Sequence, residues 1–296
     1  MPQLLNLIQE LFKHDWMKEK EIIALVSLLD DDDDEIVANV EQKIISLGNQ
    51  VIPYLEKEWE SNFNPEAQKR IEEIIHNMQF EELRQKLIVW GGNKNRDLLE
   101  GMCLVASYQY PDLEINDIKK ELEQIYYEAW LQFKPDVTPL EQVKILNQAI
   151  FSNLKFSANN KNFHSPGNSM INVVLQTRKG NPISLSVIYM LIAQKLKMPV
   201  YGVNLPNLFI LTYKTADEQF YINAFNRGLI FSRNDVDKYI GELYLTPKNS
   251  YYEPCSEIEI MQRVLRNLVF SFEKIGDHYK SEEIKILLSG INNIIN

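Results

Sequence analysis

The stretch "GNPISLSVIYM", Gly180–Met190, is where chemistry would be expected in this chain. A turn there feeds a long apolar helix, and two hydroxyls, Ser184 and Ser186, fall near its start. A helix N-terminus gathers positive partial charge and unpaired N–H groups, so it lowers the pKa of a thiol placed there and can stabilise an oxyanion. Such a nucleophile takes its base from a histidine and its orienting group from an acid or amide. The residue types argue against that chemistry here. The two cysteines, Cys103 and Cys255, are far from this turn in sequence, and the β-rich region Val200–Ser232 contains no histidine. The nearest is His164, upstream in a polar loop. Ser184 therefore reads as a capping or packing hydroxyl, with a Ser184–His164 nucleophile–base pair as the catalytic alternative. His14, His76 and His278 are isolated on helical segments and read as surface or packing residues. "RKG", Arg178–Gly180, with Asn181 forms no phosphate-loop pattern.

The elements that must hold this turn follow from periodicity. Pro182 fits a first helical turn, where its missing N–H costs nothing. Val187, Ile188, Leu191, Ile192 and Leu196 give the helix one broad apolar face, and it must stop before Pro199. After Pro199 the period changes. "PVYGVNL", "LFILTYK", "QFYINAF" and "GLIFS" are short β-rich runs separated by turn residues, which predicts a small antiparallel sheet of three or four strands. Upstream, helices are predicted over Leu98–Tyr108, Ile115–Phe133 and Pro139–Ser152, the last opening on "TPLEQ" with Thr138 as N-cap. Ser157–Ser169 reads as a loop and Met170–Gln176 as a short helix. "NDVDKYIGELY" reads as a capped helix, and helices over Glu257–Ile275 and Ser281–Ile295 finish the chain.

The first 90 residues are helical by pattern: Leu4–Phe12, Ile22–Leu29, Ile36–Leu47, Val51–Trp59 and Ala67–Met78. Val40, Glu41 and Ile44 align with Ile71, Glu72 and Ile75, and Ala24 and Leu28 with Leu55 and Trp59. This weak repeat suggests a short solenoid resembling HEAT repeats. The acidic run Asp30–Asp34 lacks the alternation, glycine and terminal glutamate of a calcium loop. It reads instead as an inter-helix turn in which Asp33 or Asp34 caps the next helix. "WGGNKNRD", Trp90–Asp97, is the boundary signal.

Bulk properties bound the function. The 296 residues carry a net charge of −10, which argues against a general nucleic-acid binder. The longest apolar run, around residues 187 to 193, is far short of a membrane span. Neither cysteine has a Cys or His neighbour at metal-ligand spacing, and Cys103, in "GMCLVAS", reads as a buried structural thiol. The N-terminus has no basic start, continuous apolar core or cleavage site, so a cytoplasmic chain is expected, with no cofactor.

Together "YPDLEINDIKKELEQI", the long stretch "LNQAIFSNLKFSANNKNFHSPGNSMINVVLQTRKGNPISLSVIYMLIAQKLKMPVYGVNLPNLFIL" and "YINAFNRG" resemble the SirB-type transglutaminase-like proteins. The likeness covers roughly Leu98 to Gly241. It rests on landmarks in order: Asn168-Ser169, Asn172, Val174-Leu175, Arg178, Gly180, Pro182, Ser184-Leu185-Ser186, Pro199, Gly202-Val203, Leu205-Pro206 and Phe209. The resemblance implies a transglutaminase-like fold on the papain-like plan, with a C-terminal tetratricopeptide-like hairpin. Its catalytic residues do not carry over. In active members a Cys stands at a set distance before the proline that follows the core helix. Counting back from Pro199 lands on Pro182, with Ser184 the nearest nucleophile. Leu208 stands where the family has the His of "GHF", and Asn223 where it has the acid of "DPF".

The expected fold is α+β and mostly helical: a HEAT-like segment over 1–93, a transglutaminase-like domain with a small antiparallel sheet over 94–250, and a tetratricopeptide-like hairpin over 251–296. The expected function is a non-catalytic protein- or peptide-binding module, with Asn168, Ser184, Asn204 and Asn223 near the old cleft and no nucleic-acid or membrane partner. The alternatives are a serine-dependent peptidase or acyl transferase using Ser184, and a scaffold that homo-oligomerises through its helices.

Overall fold

The computed structural model describes residues 19–31, 33–133 and 137–293. The helix expected at Leu4–Phe12, together with His14, lies outside the described residues, as do Asp32 and the end of the last expected helix, Ser281–Ile295. The chain divides into two units, Met1–Leu83 and Arg84–Asn296. That division falls ahead of the glycine pair Gly91-Gly92, inside a helix.

The first unit is helical. Helix α1, over 19–27, tightens into a 3-10 turn at Leu28–Asp30. Then come α2 (Asp34–Leu47), α3 (Ile52–Ser61) and the start of α4 (Pro65–Gly92). Their apolar positions meet in one core of Ile22, Val26, Leu29, Val40, Ile44, Val51, Leu55, Ile71, Ile74 and Met78. The acidic run makes turns and caps. Asp33 accepts from the N–H groups of Glu35 at 2.9 Å and Ile36 at 3.4 Å, at the positive end of α2. Asp30 accepts from the side-chain amides of Asn62 and Asn64. Helix α4 continues past Met78, where the sequence expectation ended it. No Gly or Pro interrupts Gln79–Trp90, and Leu83, Leu87 and Trp90 keep the apolar stripe buried.

In the second unit Asp97 caps α5 (Leu98–Ser107), accepting from the N–H of Leu99 at 2.8 Å. Helix α6 spans Ile115–Trp130. Helix α7 (Pro139–Asn147) opens on a capping box between Thr138 and Glu141 and runs into a π-helical turn, Gln148–Asn153, where a continuous α-helix was expected. Strands β1 (Ser157–Ala158) and β2 (Lys179–Gly180) pair in parallel around α8 (Ile171–Thr177). This pairing is too short to leave a period-2 signal.

Helix α9 (Pro182–Lys195) follows. The antiparallel sheet is β3 (Val200–Leu205), β4 (Leu208–Lys214), β5 (Gln219–Asn223) and β6 (Leu229–Phe231), in that spatial order. Helix α10 (Arg233–Glu242) covers part of it, burying Val236 and Ile240 with Val203, Leu205, Ile210, Tyr221 and Tyr252. The chain closes on a hairpin of α11 (Glu257–Lys274) and α12 (His278–Asn292). The result is α+β and mostly helical, with a small antiparallel sheet.

Helix α9 departs from its expected single apolar face. Every residue from Ile183 to Met190 is buried, because β3 and β4 pack on it and so do α6, α8 and α11. A helix without a polar face has no stable place except inside. Its small residues Ser184, Ser186 and Ala193 leave room for those neighbours. Each fully buried aliphatic side chain in it contributes roughly 1.5–3 kcal/mol.

Candidate functional site

The start of α9 is built by short-range bonds. Asn181 is the N-cap: its Oδ1 accepts from the N–H of Ser184 at 2.9 Å, and the Oγ of Ser184 accepts from the N–H of Asn181 at 3.1 Å. The same hydroxyl lies 3.3 Å from the Asn181 carbonyl, to which it donates. Ser184 is 1% exposed, so its hydroxyl is sealed inside the cap. Gly180 permits this arrangement. A Cβ on it would lie 2.5 Å from the Ser184 Oγ, closer than such atoms approach. The cap is tied backwards as well, since Nδ2 of Asn181 donates to Oγ of Ser169 at 2.8 Å.

In front of this helix start lies a cavity of about 240 Å³. Its lining comes from four places in the sequence. Asn181, Pro182 and Ile183 open α9, and Phe163 and His164 come from the polar loop. Asn207 and Phe209 come from the β3–β4 hairpin. Arg263, Asn267, Phe270 and Ser271 come from one face of α11, at the i, i+4, i+7, i+8 spacing that puts side chains on one side of a helix.

Several sequence-predicted residues do not line this cavity, and two of them, Asn168 and Asn204, hold groups that do. Asn168, 3% exposed, shapes the loop that carries Phe163 and His164: its Nδ2 donates to the carbonyls of Asn162 at 2.7 Å and Phe163 at 2.9 Å, and its Oδ1 accepts from Asn159 at 2.8 Å. Asn204 accepts from Nη1 of Arg263 at 3.0 Å, and the Leu205 carbonyl accepts from the same nitrogen at 3.2 Å. Asn204 thus places the guanidinium. Asn223 caps the 3-10 turn Ala224–Asn226, accepting from the N–H of Asn226 at 3.1 Å. Leu208 begins β4 and packs against the apolar cluster under α10. Of the four positions matched to catalytic roles, Pro182 lines the cavity. Asn207, the neighbour of Leu208, also lines it, held at a φ of 58° by the two-residue hairpin turn, a conformation Asn tolerates.

Ser184 and His164 do not meet in a hydrogen bond among the described residues. His164 instead faces Phe270, with ring centroids 5.3 Å apart, and Phe163, at 5.2 Å. Neither thiol is activated. Burial, with Asp97 adding to it, pushes Cys103 up to about 12, and burial with Glu259 does the same for Cys255. A nucleophilic cysteine needs the opposite shift. Among the lining residues that sequence reasoning did not assign to the site are Asn181, Asn207, Arg263, Asn267, Phe270 and Ser271. Arg263, Asn267 and Ser271 share one stripe of α11 at i, i+4, i+8 spacing, but among the many polar residues of this hairpin nothing marks that stripe until the fold brings it to α9.

Among the described residues, no helix is long and apolar enough to cross a membrane. The chain is similar to a UPF0162 protein of Xylella fastidiosa (strain 9a5c), 30% identical over 182 residues that make up 58% of this chain and 63% of that protein. It is also similar to the UPF0162 protein YchA of Escherichia coli K12, 25% identical over 175 residues, 58% of this chain and 65% of YchA. Human F-box only protein 21 is 25% identical over 201 residues, 58% of this chain and 32% of that protein. The matches span less than two thirds of each of these relatives. No solved structure matches the chain. Residues 116–266, just over half of the chain and including β3 to β6 and α9, match the family model of the transglutaminase-like superfamily, and the chain belongs to that superfamily.

Proposed function

We propose that the chain is a non-catalytic, SirB-type member of the superfamily that binds a protein or peptide segment in the cavity at the start of α9. The observation that carries this reading is the state of Ser184. Its hydroxyl is buried and used on both sides by Asn181, so the position nearest the lost nucleophile serves the helix cap. The upward shifts of Cys103 and Cys255 support it from the other direction. What surrounds the cavity suits binding: amides, a guanidinium and aromatic rings in a concave site, with no group poised to attack. The helical segments on either side of the superfamily core, HEAT-like and tetratricopeptide-like in this reading, are of kinds that bind proteins.

Two measurements test it. A fluorophosphonate probe followed by peptide mass spectrometry is expected to leave Ser184 unlabelled, and labelling there would establish the serine-enzyme alternative. Selection of a displayed random-peptide library on the full chain is expected to enrich sequences whose capture is lost in an Asn267→Trp variant, which puts a bulky ring at the cavity wall. Equal capture by both proteins would remove the cavity from the reading.

A further inference from the structure

We infer that the cavity at the start of α9 is a carboxylate site, taking a carboxylate whose neighbouring group is apolar. This rests on the binding-module reading and names the chemistry the module recognises. No Asp or Glu lines the cavity, although the chain has 41 of them against 31 Lys and Arg. Arg263 is half-buried there, and its hydrogen bonds among the described residues run from Nη1 alone, to neutral oxygens of Asn204 and Leu205. No ion pair neutralises it among the described residues. A guanidinium withdrawn from water without a counter-ion is unfavourable, and a planar carboxylate meets its remaining N–H groups as a fork. Burial and the adjacent Arg266 press on the same charge, lowering its pKa.

Three further features point the same way. The Asn267 amide lines the cavity one turn along from Arg263 and makes no hydrogen bond among the described residues. Lys274 sits 5.2 Å over the Phe270 ring, which puts a second cation beside one of the walls. The positive end of α9 opens at Ile183 on the same space. The remaining walls, Ile183, Phe163, Phe209 and Phe270, are apolar and give the carboxylate's neighbour a place. The volume of about 240 Å³ is many times what a single water needs, which leaves room for a terminal residue or a small acid. The aromatic walls favour an organic carboxylate over inorganic phosphate.

The test is isothermal titration of the full chain with N-acetylphenylalanine, N-acetylphenylalaninamide, and the tetrapeptide acetyl-Gly-Ser-Val-Phe with a free or an amidated end. The free acids are expected to bind at least about tenfold more tightly than the matching amides, as a charge-assisted fork is lost. Tighter binding of the free-ended tetrapeptide than of N-acetylphenylalanine identifies a chain terminus as the ligand. Equal binding identifies a small free acid. Asn267→Leu, which breaks no bond in the folded chain, and Arg263→Lys, which keeps the charge and loses the fork, are each expected to weaken the free acids about tenfold. Acid and amide binding alike, inorganic phosphate displacing the acid at equal concentration, or both variants binding as the wild type does, overturns the carboxylate assignment. If library-selected peptides still bind in that case, the module reading stands; if none bind, both fall.

Discussion

Asn181 and Ser184 hold each other at the start of α9, each backbone N–H donating to the other's side chain, at 2.9 and 3.1 Å. This reciprocal pair makes the first hydroxyl of the helix a structural clamp. Ser184→Ala removes an acceptor from a buried N–H and is expected to cost about 1 kcal/mol, or about 2–4 °C in the thermal midpoint of a unit this size. Ser184→Cys is expected to resist alkylation in the folded state. Rapid modification of that cysteine at neutral pH would contradict the sealed geometry.

Gly180→Ala presses a methyl group onto the same hydroxyl, 2.5 Å away, and onto Val174 at 3.0 Å. The expected loss is about 1–3 kcal/mol by denaturant titration, from overpacking in a buried turn. The double variant Gly180→Ala/Ser184→Ala is expected to recover part of it, because the closest obstructing atom is gone.

Asn168→Ala withdraws a donor amide from the carbonyls of Asn162 and Phe163. A cost of about 2 kcal/mol is expected. Hydrogen exchange should speed up over residues 159–164, and affinity for any cavity ligand should fall as Phe163 and His164 lose their support. Unchanged exchange in that loop argues that Asn168 does not position it.

The two thiols give a pH prediction. Both are raised from 9.0 to about 12 in the folded chain, chiefly by burial. The folded state therefore keeps a proton that the unfolded chain releases. Their contribution is intact below pH 9 and is lost as pH rises from 9 to about 12. Stability of a Cys103→Ala/Cys255→Ala variant is expected to decline less steeply over that interval than the wild type. At pH 8, iodoacetamide is expected to modify both thiols at least about a hundredfold more slowly in the folded chain than in guanidinium, since the thiolate is scarce. Equal rates would sink the buried-thiol account.

Much of this molecule was legible in its sequence because local rules write it. Gly180 and Pro182 announce the turn into α9, the change of period after Pro199 announces the sheet, and Thr138 and Asp33 announce their helix starts by type. What escaped is what depends on partners far along the chain. The enclosure of α9 on all sides follows from α6 and α11, which its own periodicity does not reveal. The π turn after Asn147 and the two-residue β1–β2 pairing leave no pattern to read. The same limit explains the site. Asn168, Asn204 and Asn223 were expected near the old cleft through the family resemblance, and they act one layer behind the cavity or elsewhere. Arg263, Asn267 and Phe270, which face it, sit in a hairpin read as a separate segment.

The superfamily-matched stretch ends at residue 266, between Arg263 and Asn267 on the same face of α11. The residues of this cavity wall therefore lie on both sides of the limit of the matched stretch, on one continuous helix. Asn267 and the half-exposed Phe270 belong to neither the cap of α9 nor the sheet. A substitution at Asn267 therefore reaches the cavity wall without breaking a described hydrogen bond of the helix start, the sheet or the cap.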